Sequence, residues 1–294
     1  MNTQPLVSVV TPAYNAGPYI KETIMSVLQQ TYPYFEHIIV DDGSTDGTAK
    51  AIRSFRDERI KFLQQENSGQ SAARNKAINL ARGKYIAFLD ADDIWFPEKL
   101  ERQVAFMEEN PDVDFGYCKI YHFQSEKPDT LYLMKMEHPS GYLFSQLLVS
   151  NFINPLSVMV KKEVFDKYGA FEPKFPSADE QYLWLKLSYR GVKFGYLDIA
   201  LGKCRLHATS FTQRPSYYQT SQEQCLQIFG LMRQWMTKEE IEKYNLAMLE
   251  KKNRRNISIG KLIAARNPFG RLMHFVYLLN RRRRLHRVKL SDNV

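Results

Sequence analysis

Four short apolar runs, each followed by a stretch with helical spacing, fill the first ninety or so residues. LVSVVT (residues 6–11) reads as a buried strand. NAGPYIKETIMSVLQQT follows, with Ile20, Ile24, Val27 and Leu28 on one helical face and Pro18 suited to a first turn. FEHIIVDD is a second strand, stopped by the turn DDGSTDGT, and Ile52 and Phe55 mark a short helix beyond it. RIKFLQQ is a third strand. SGQSAARNKAINLARG is a helix closed by Gly83, with Ala73, Ala77, Ile78 and Ala81 inward, and YIAFLD is a fourth strand. Repeated strand–helix units need crossover connections, so the strands run parallel and the helices cover the faces. The predicted class is α/β, a mostly parallel sheet flanked by helices. Ligands in such sheets bind beyond the carboxyl ends of the strands. Residues 11–15, 41–46 and 90–93 lie at those ends, so three polar loops are predicted to meet at one crevice.

Beyond Asp93 the pattern loosens. FPEKLERQVAFMEENP is a helix, residues 113–135 alternate as strands do, and SVMVKKEVFDKYGAF is a strand and a short helix. ADEQYLWLKLSYRG is a helix carrying Leu183, Leu185 and Leu187. LGKCRLHATS is a strand that runs into a loop, and the chain from about residue 216 onward is mostly helical. Cys118, Cys204 and Cys225 have neither metal-like nor disulfide-like spacing and read as reduced thiols. There is no secretion signal and no apolar run of about 18 residues, which makes the cytoplasm the expected compartment. The net charge of +9 is concentrated at one end: residues 251–294 hold thirteen of the 41 bases and one of the 32 acids. The rest of the chain carries a slight excess of acid.

YIAFLDADDIW places Asp90, Asp92 and Asp93 directly after a buried strand. Like charges so close resist burial unless a cation joins them. An Asp-x-Asp spacing supplies hard oxygen ligands suited to Mg2+ or Mn2+; the plainer reading is a solvated turn. DDGSTDGT is equally ambiguous, since Asp46 suits a helix cap while a carboxylate at the end of a second strand can hold a ribose or a base edge. The first turn, TPAYNAGPY, lacks G-x-G-x-x-G, which disfavours a dinucleotide-dependent oxidoreductase.

Taken in order, VSVVTPAYNAGPYI, IIVDDGSTDGT, NSGQSAARNKAI and YIAFLDADD resemble the family-2 glycosyltransferases with their GT-A fold, a Rossmann-like sheet. The resemblance continues through VMVKKEVFDKYGAFEP, ADEQYLWLKL and CRLHATS, covering roughly residues 5–212. It implies an inverting transfer of sugar from a nucleotide diphosphate donor to a glycan or lipid-linked acceptor. By that resemblance Pro12 and Tyr14 contact the nucleotide, Asp42 grips the base or ribose, and Gly69, Arg74 and Asn75 lie along the nucleotide. Asp90 faces the nucleoside and Asp92 holds a divalent metal, Mn2+ or Mg2+, that binds the diphosphate. UDP is the family's most frequent nucleotide, with GDP and dTDP open.

An inverting displacement needs a base for the acceptor hydroxyl. The family carries Glu then Asp before LWLRL, with the second acid as base; here the pair is Asp179 then Glu180. Position favours Glu180, and Asp179 stays open because the order is swapped. His207 matches a further metal or diphosphate contact. Arg205 either pairs with the diphosphate or braces the loop. Trp184 is expected to pack.

The domain reading is a catalytic domain over 1–215 and a basic helical region over 216–294. Residues 268–290 carry Phe269, Leu272, Met273, Val276 and Leu279 ahead of four successive arginines. They read as an interfacial helix at an anionic membrane surface, which would make the enzyme peripheral at the inner face of the cell membrane. A nucleic-acid patch is the rival, as is a catalytically dead sugar-nucleotide-binding module; no nucleic acid is expected on the preferred reading.

Overall fold

The computed structural model describes residues 4–134, 136–208, 210, 216–264 and 285–288. The chain alternates as its pattern predicts: β1 (Val7–Ala13), α1 (Ile20–Leu28), β2 (Phe35–Asp42), α2 (Thr48–Arg53), β3 (Ile60–Gln65), α3 (Gln70–Leu80) and β4 (Tyr85–Phe88). Then come β5 (Ile94–Trp95), α4 (Lys99–Glu109), β6 (Phe115–Gln124), β7 (Lys127–Met134), α5 (Phe144–Val149), β8 (Val158–Lys161), α6 (Lys162–Tyr168), α7 (Asp179–Tyr189) and β9 (Phe194–Leu206). α8 (Tyr217–Trp235), α9 (Lys238–Lys243), α10 (Leu246–Ala264) and β10 (Leu285–Val288) complete the described elements.

The first four strands lie in the order β4–β1–β2–β3, all parallel. β1 and β2 sit inside this group and are buried along nearly their whole length, which is why they read as continuous apolar runs. The sheet then becomes mixed. β8 is antiparallel to β4, and β6 is antiparallel to β8. β9 runs parallel to β6, and its far end crosses to pair antiparallel with β5, Ile94 opposite Lys203. That crossing brings the end of β9 against the loop after β4.

Two boundaries differ from the periodic reading, each for a physical reason. α1 begins at Ile20, and Pro18 sits in the turn before it. α3 stops at Leu80, with Ala81 extended, well before Gly83. Gly83 instead lets the chain pass β1 closely: a Cβ there would lie 2.6 Å from the Ser8 nitrogen and 2.8 Å from the Leu6 carbonyl oxygen.

The largest core cluster lies under α3, α5, α6 and α7. Trp184 is fully buried there, edge-on to Phe115 and near Phe88 and Phe171. Ile228, Phe229 and Met232 of α8 and Leu246 and Leu249 of α10 join the same cluster, so these helices share the packing of the main core. Among the described residues no helix is long and apolar enough to cross a membrane. The basic segment 268–290 lies outside the described residues except for 285–288. Those four are a strand, antiparallel on β7, where the sequence reading has a helix. An edge strand offers unpaired backbone groups that such a strand satisfies.

Because backbone, rather than a flexible side chain, stands where the new methyl would go, Gly83→Ala is expected to lower stability by about 1–3 kcal/mol. A urea unfolding midpoint that does not move would contradict this.

Candidate functional site

The three strand-end loops do meet. Asn15, in a left-handed conformation, receives the Thr45 N–H on its side chain at 2.9 Å, and its own N–H donates to the Ser44 hydroxyl at 2.9 Å. Asp46 accepts from the Thr48 N–H at 2.9 Å and the Gly17 N–H at 3.0 Å, so from one residue ahead of the Gly47 N-cap it holds the first N–H of α2 and ties down the first loop. The Thr23 hydroxyl of α1 lies 3.0 Å from the Ala91 carbonyl and 2.9 Å from the Asp93 carbonyl, which fixes the third loop. Pro12 is half-buried under this rim and Tyr14 stands half exposed on it.

Asp42 is buried and already well satisfied. It accepts from the Ser68 and Gly69 N–H groups, each at 2.8 Å, and from the Gln65 amide at 2.7 Å. Gly69 takes a positive φ of 90° to turn its N–H inward, a conformation natural only to glycine. Asn75 spends both ends of its amide on the Phe171 backbone, at 2.8 and 2.9 Å. It therefore braces the segment before α7, and the Phe171 ring lies 5.0 Å from the Arg74 guanidinium carbon.

Arg74 is the centre of the arrangement. Its side chain is wholly buried and reaches Asp90 at 2.7 Å, Asp179 at 3.2 Å and Glu180 at 3.4 Å. Burial works against its charge, but the three carboxylates outweigh that and raise its pKa. The two acids of α7 are treated differently. Asp179 is buried and also accepts from the Ser71 hydroxyl at 2.7 Å, with the Gln70 amide at 3.3 Å. About a quarter of the Glu180 side chain is open to solvent. Burial of its carboxyl pushes the Glu180 pKa up to about 8, Arg74 opposing and Asp179 adding to the rise. Burial likewise raises Asp179, again against Arg74.

At the other side of the third loop, Asp92 lies 2.9 Å from the His207 Nε2. Asp93 turns away from them: it is buried and accepts the Arg205 N–H at 2.8 Å. Burial, then repulsion from Asp92 and Asp90, holds the Asp93 pKa well above the carboxylate range. Arg205 donates from Nε to the Asp92 carbonyl at 2.7 Å and pairs with Glu22 of α1. Among the described residues no trio of His, Cys, Asp or Glu is arranged to enclose an ion unaided. Magnesium-like ions take one or two carboxylates and complete their shell with water and substrate phosphate. A partly exposed Asp92 oxygen beside an imidazole nitrogen fits that demand.

The residues singled out from sequence thus fall into neighbouring groups: Pro12 and Tyr14 at the rim, Asp42 with Gly69, Arg74 with Asp90, Asp179 and Glu180, and Asp92 with His207 and Arg205. Ser71, Gln70, Gln65, Thr23 and Glu22 join them without a sequence reading of their own. Ser71 and Gln70 stand inside SGQSAARN, the one signal available for them. A separate cleft of about 600 Å3 lies at the other end of β4, lined by Arg82, Lys84, Tyr85, Glu108 and Lys161. Its lysines are paired with acids, Lys84 with Glu108 and Lys161 with Asp114.

A sheet of this order with acidic loops at its strand ends is GT-A-like, the class of sugar-nucleotide-dependent transferases. The mannosyltransferase PcManGT from Pyrobaculum calidifontis, solved with GDP-Man and Mn2+, superposes with a TM-score of 0.64 at 20% identity, over 95% of this chain and 81% of that one. TarS residues 1–349 of S. aureus with UDP gives a TM-score of 0.58 at 22% identity, over 76% of this chain and 65% of that one. Residues 8–169 match Glycosyl transferase family 2, and the chain belongs to that family. It is 39% identical over 210 residues to TuaG of Bacillus subtilis (strain 168), a glycosyltransferase named for teichuronic acid biosynthesis; the match spans 70% of this chain and 81% of TuaG. It is 36% identical over 183 residues to WfgD of Escherichia coli, named a UDP-Glc:alpha-D-GlcNAc-diphosphoundecaprenol beta-1,3-glucosyltransferase, covering 62% of this chain and 69% of WfgD.

Removing the guanidinium leaves Asp179 charged and buried without a counter-ion. Arg74→Met is therefore expected to lose ~3 kcal/mol of stability at pH 8. The unpaired acids of the variant bind protons more tightly folded than unfolded, so part of the loss should return at pH 6. Equal losses at both pH values, measured by denaturant unfolding, would contradict this account.

Proposed function

We propose that the chain is an inverting glycosyltransferase that moves a sugar from a nucleotide diphosphate donor to a glycan or lipid-linked acceptor in polysaccharide assembly. The observation that carries this reading is the division of labour at the start of α7. Asp179 is buried and held by Arg74 and Ser71, while Glu180 keeps solvent access beside the same arginine. A base must reach the acceptor's proton, so access assigns the role to Glu180 and leaves Asp179 as the group that fixes Arg74. The swapped order of the pair is consistent with activity, because one position is an anchor and the other faces outward.

Asp90, which shares the Arg74 Nη2 with Glu180, would face the nucleoside, with Tyr14 and Pro12 at the rim and the loop held by Asp42 and Gly69 along it. Asp92 and His207 would hold a Mn2+ or Mg2+ ion. When bound, that ion supplies positive charge to the departing diphosphate. UDP is the preferred nucleotide, on the activity for which WfgD is named. The catalytic domain is assigned to 1–215 and the basic C-terminal region to 216–294. Residues 268–290 are proposed as the contact to an anionic membrane at the cytoplasmic face, where a lipid-linked acceptor would be met. Nucleic acid is not proposed as a partner.

Glu180→Gln is expected to lower transfer by 100- to 10,000-fold while nucleotide binding stays within a factor of about two. Since Glu180 must be deprotonated to act, kcat/KM of the wild type should rise with pH, reach half its maximum near pH 8 and level off about a unit higher. A flat profile between pH 6 and 8, or full activity in the glutamine variant, would move the base elsewhere. Binding to anionic vesicles that weakens between 0.1 and 1 M salt is the expected sign of the membrane contact; binding blind to both lipid charge and salt would count against it.

A further inference from the structure

Every backbone carbonyl of the Asp90–Asp93 turn has a hydrogen-bond partner. The Asp90 carbonyl accepts the Asp93 N–H at 3.1 Å. Those of Ala91 and Asp93 share the Thr23 hydroxyl. The Asp92 carbonyl accepts Nε of Arg205 at 2.7 Å. Of these donors only Arg205 is charged; it arrives from 113 residues on, whereas Thr23 reaches in from α1. Its side chain is buried. Its guanidinium carbon lies 4.9 Å from the Tyr19 ring centre and 4.6 Å from that of Phe123. The Tyr19 ring in turn rests on the His207 ring, centres 4.5 Å apart. One arginine thus touches the peptide of Asp92, and through Tyr19 the ring of His207.

We propose that Arg205 and Glu22 are positioning residues that preset Asp92 and His207 for a divalent cation, and that Arg205 acts without touching the donor diphosphate. The inference rests on the donor-site reading above. The arginine's planar fork supplies two donations in fixed directions, one to the Asp92 carbonyl and one to Glu22. With its peptide held, the Asp92 side chain leaves a fixed backbone, and the His207 Nε2 at 2.9 Å meets its carboxylate. A buried positive charge beside a cation site would by itself repel the cation. Glu22 answers that charge: it is more than half exposed, sits on α1 one residue before Thr23, and pairs with the guanidinium. The clamp therefore contributes geometry without adding net charge next to the ion. An arginine committed in this way has no free reach toward the crevice.

The test uses the full chain and whichever of UDP, GDP and dTDP the wild type binds. Affinity for that diphosphate is measured by calorimetry without metal, and Mn2+ half-saturation in its presence is read from the electron paramagnetic resonance of free Mn2+. Arg205→Ala should raise the Mn2+ half-saturation concentration tenfold or more and leave metal-free affinity within twofold. Arg205→Lys should not rescue it, lacking the fork. Glu22→Gln, whose side chain is largely exposed and whose loss should leave the melting temperature in place, should raise it severalfold. Loss of metal-free diphosphate affinity in Arg205→Ala, with Mn2+ half-saturation unchanged, would show a diphosphate contact and overturn the clamp. So would wild-type Mn2+ half-saturation in Glu22→Gln together with Arg205→Lys. A wild type whose nucleotide binding ignores Mn2+ would overturn the donor-site reading itself and the clamp with it.

Discussion

A single buried guanidinium holds the site together. Arg74 sits in the first half of α3, roughly a hundred residues from the two acids of α7, and among the described residues no other ion pair joins the two helices. An arginine so deep would be unstable without partners, and carboxylates so close to one another would be unstable without it. Each side of the bargain makes the other tolerable. The Phe171 ring beneath the guanidinium and the Asn75 amide that fixes Phe171 give the arginine a defined place. Helix α7 thereby takes its orientation from a residue in the parallel, amino-terminal half of the fold.

That dependence explains why two neighbouring acids behave as different groups. Asp179, surrounded by Arg74, Ser71 and Gln70, has little freedom. Glu180 is one residue on, and the helix turns it outward. Its extra methylene relative to an aspartate lets it keep contact with Arg74 while remaining accessible. Chain order matters less here than which acid the neighbouring hydroxyl and amide can reach.

Much of this was legible in the sequence. The parallel core was readable because buried central strands need unbroken apolar runs and their helices need a 3.6-residue period. The meeting of three loops followed from topology, and Asp90 and Asp92 were visible as acids closing an apolar run, while Asp179 and His207 were reached only through the resemblance to the family-2 glycosyltransferases. Partner choice was not. Nothing in periodicity tells that Asn75 spends its amide on Phe171, that Asp42 is filled by Ser68, Gly69 and Gln65, or that Arg205 points into a turn 113 residues earlier. These bonds depend on register between distant segments, which a local pattern does not encode. The β10 strand escaped for the same reason, since its four residues take their conformation from the free edge of β7.

The place of β9 in the sheet has a consequence for synthesis. A ribosome delivers the amino-terminal strands first. By the time residue 134 has emerged, β1 to β4 and the whole acidic turn exist, and they have the material for a compact sheet. Asp93 then still lacks the N–H that it accepts, and the Asp92 carbonyl still lacks its guanidinium. Both arrive with Arg205, the second-to-last residue of β9, about seventy residues later. The nascent chain therefore carries this acidic turn as an unfinished surface for more than a hundred residues of elongation, and the turn is completed at one later moment, when β9 threads along β6 and reaches β5.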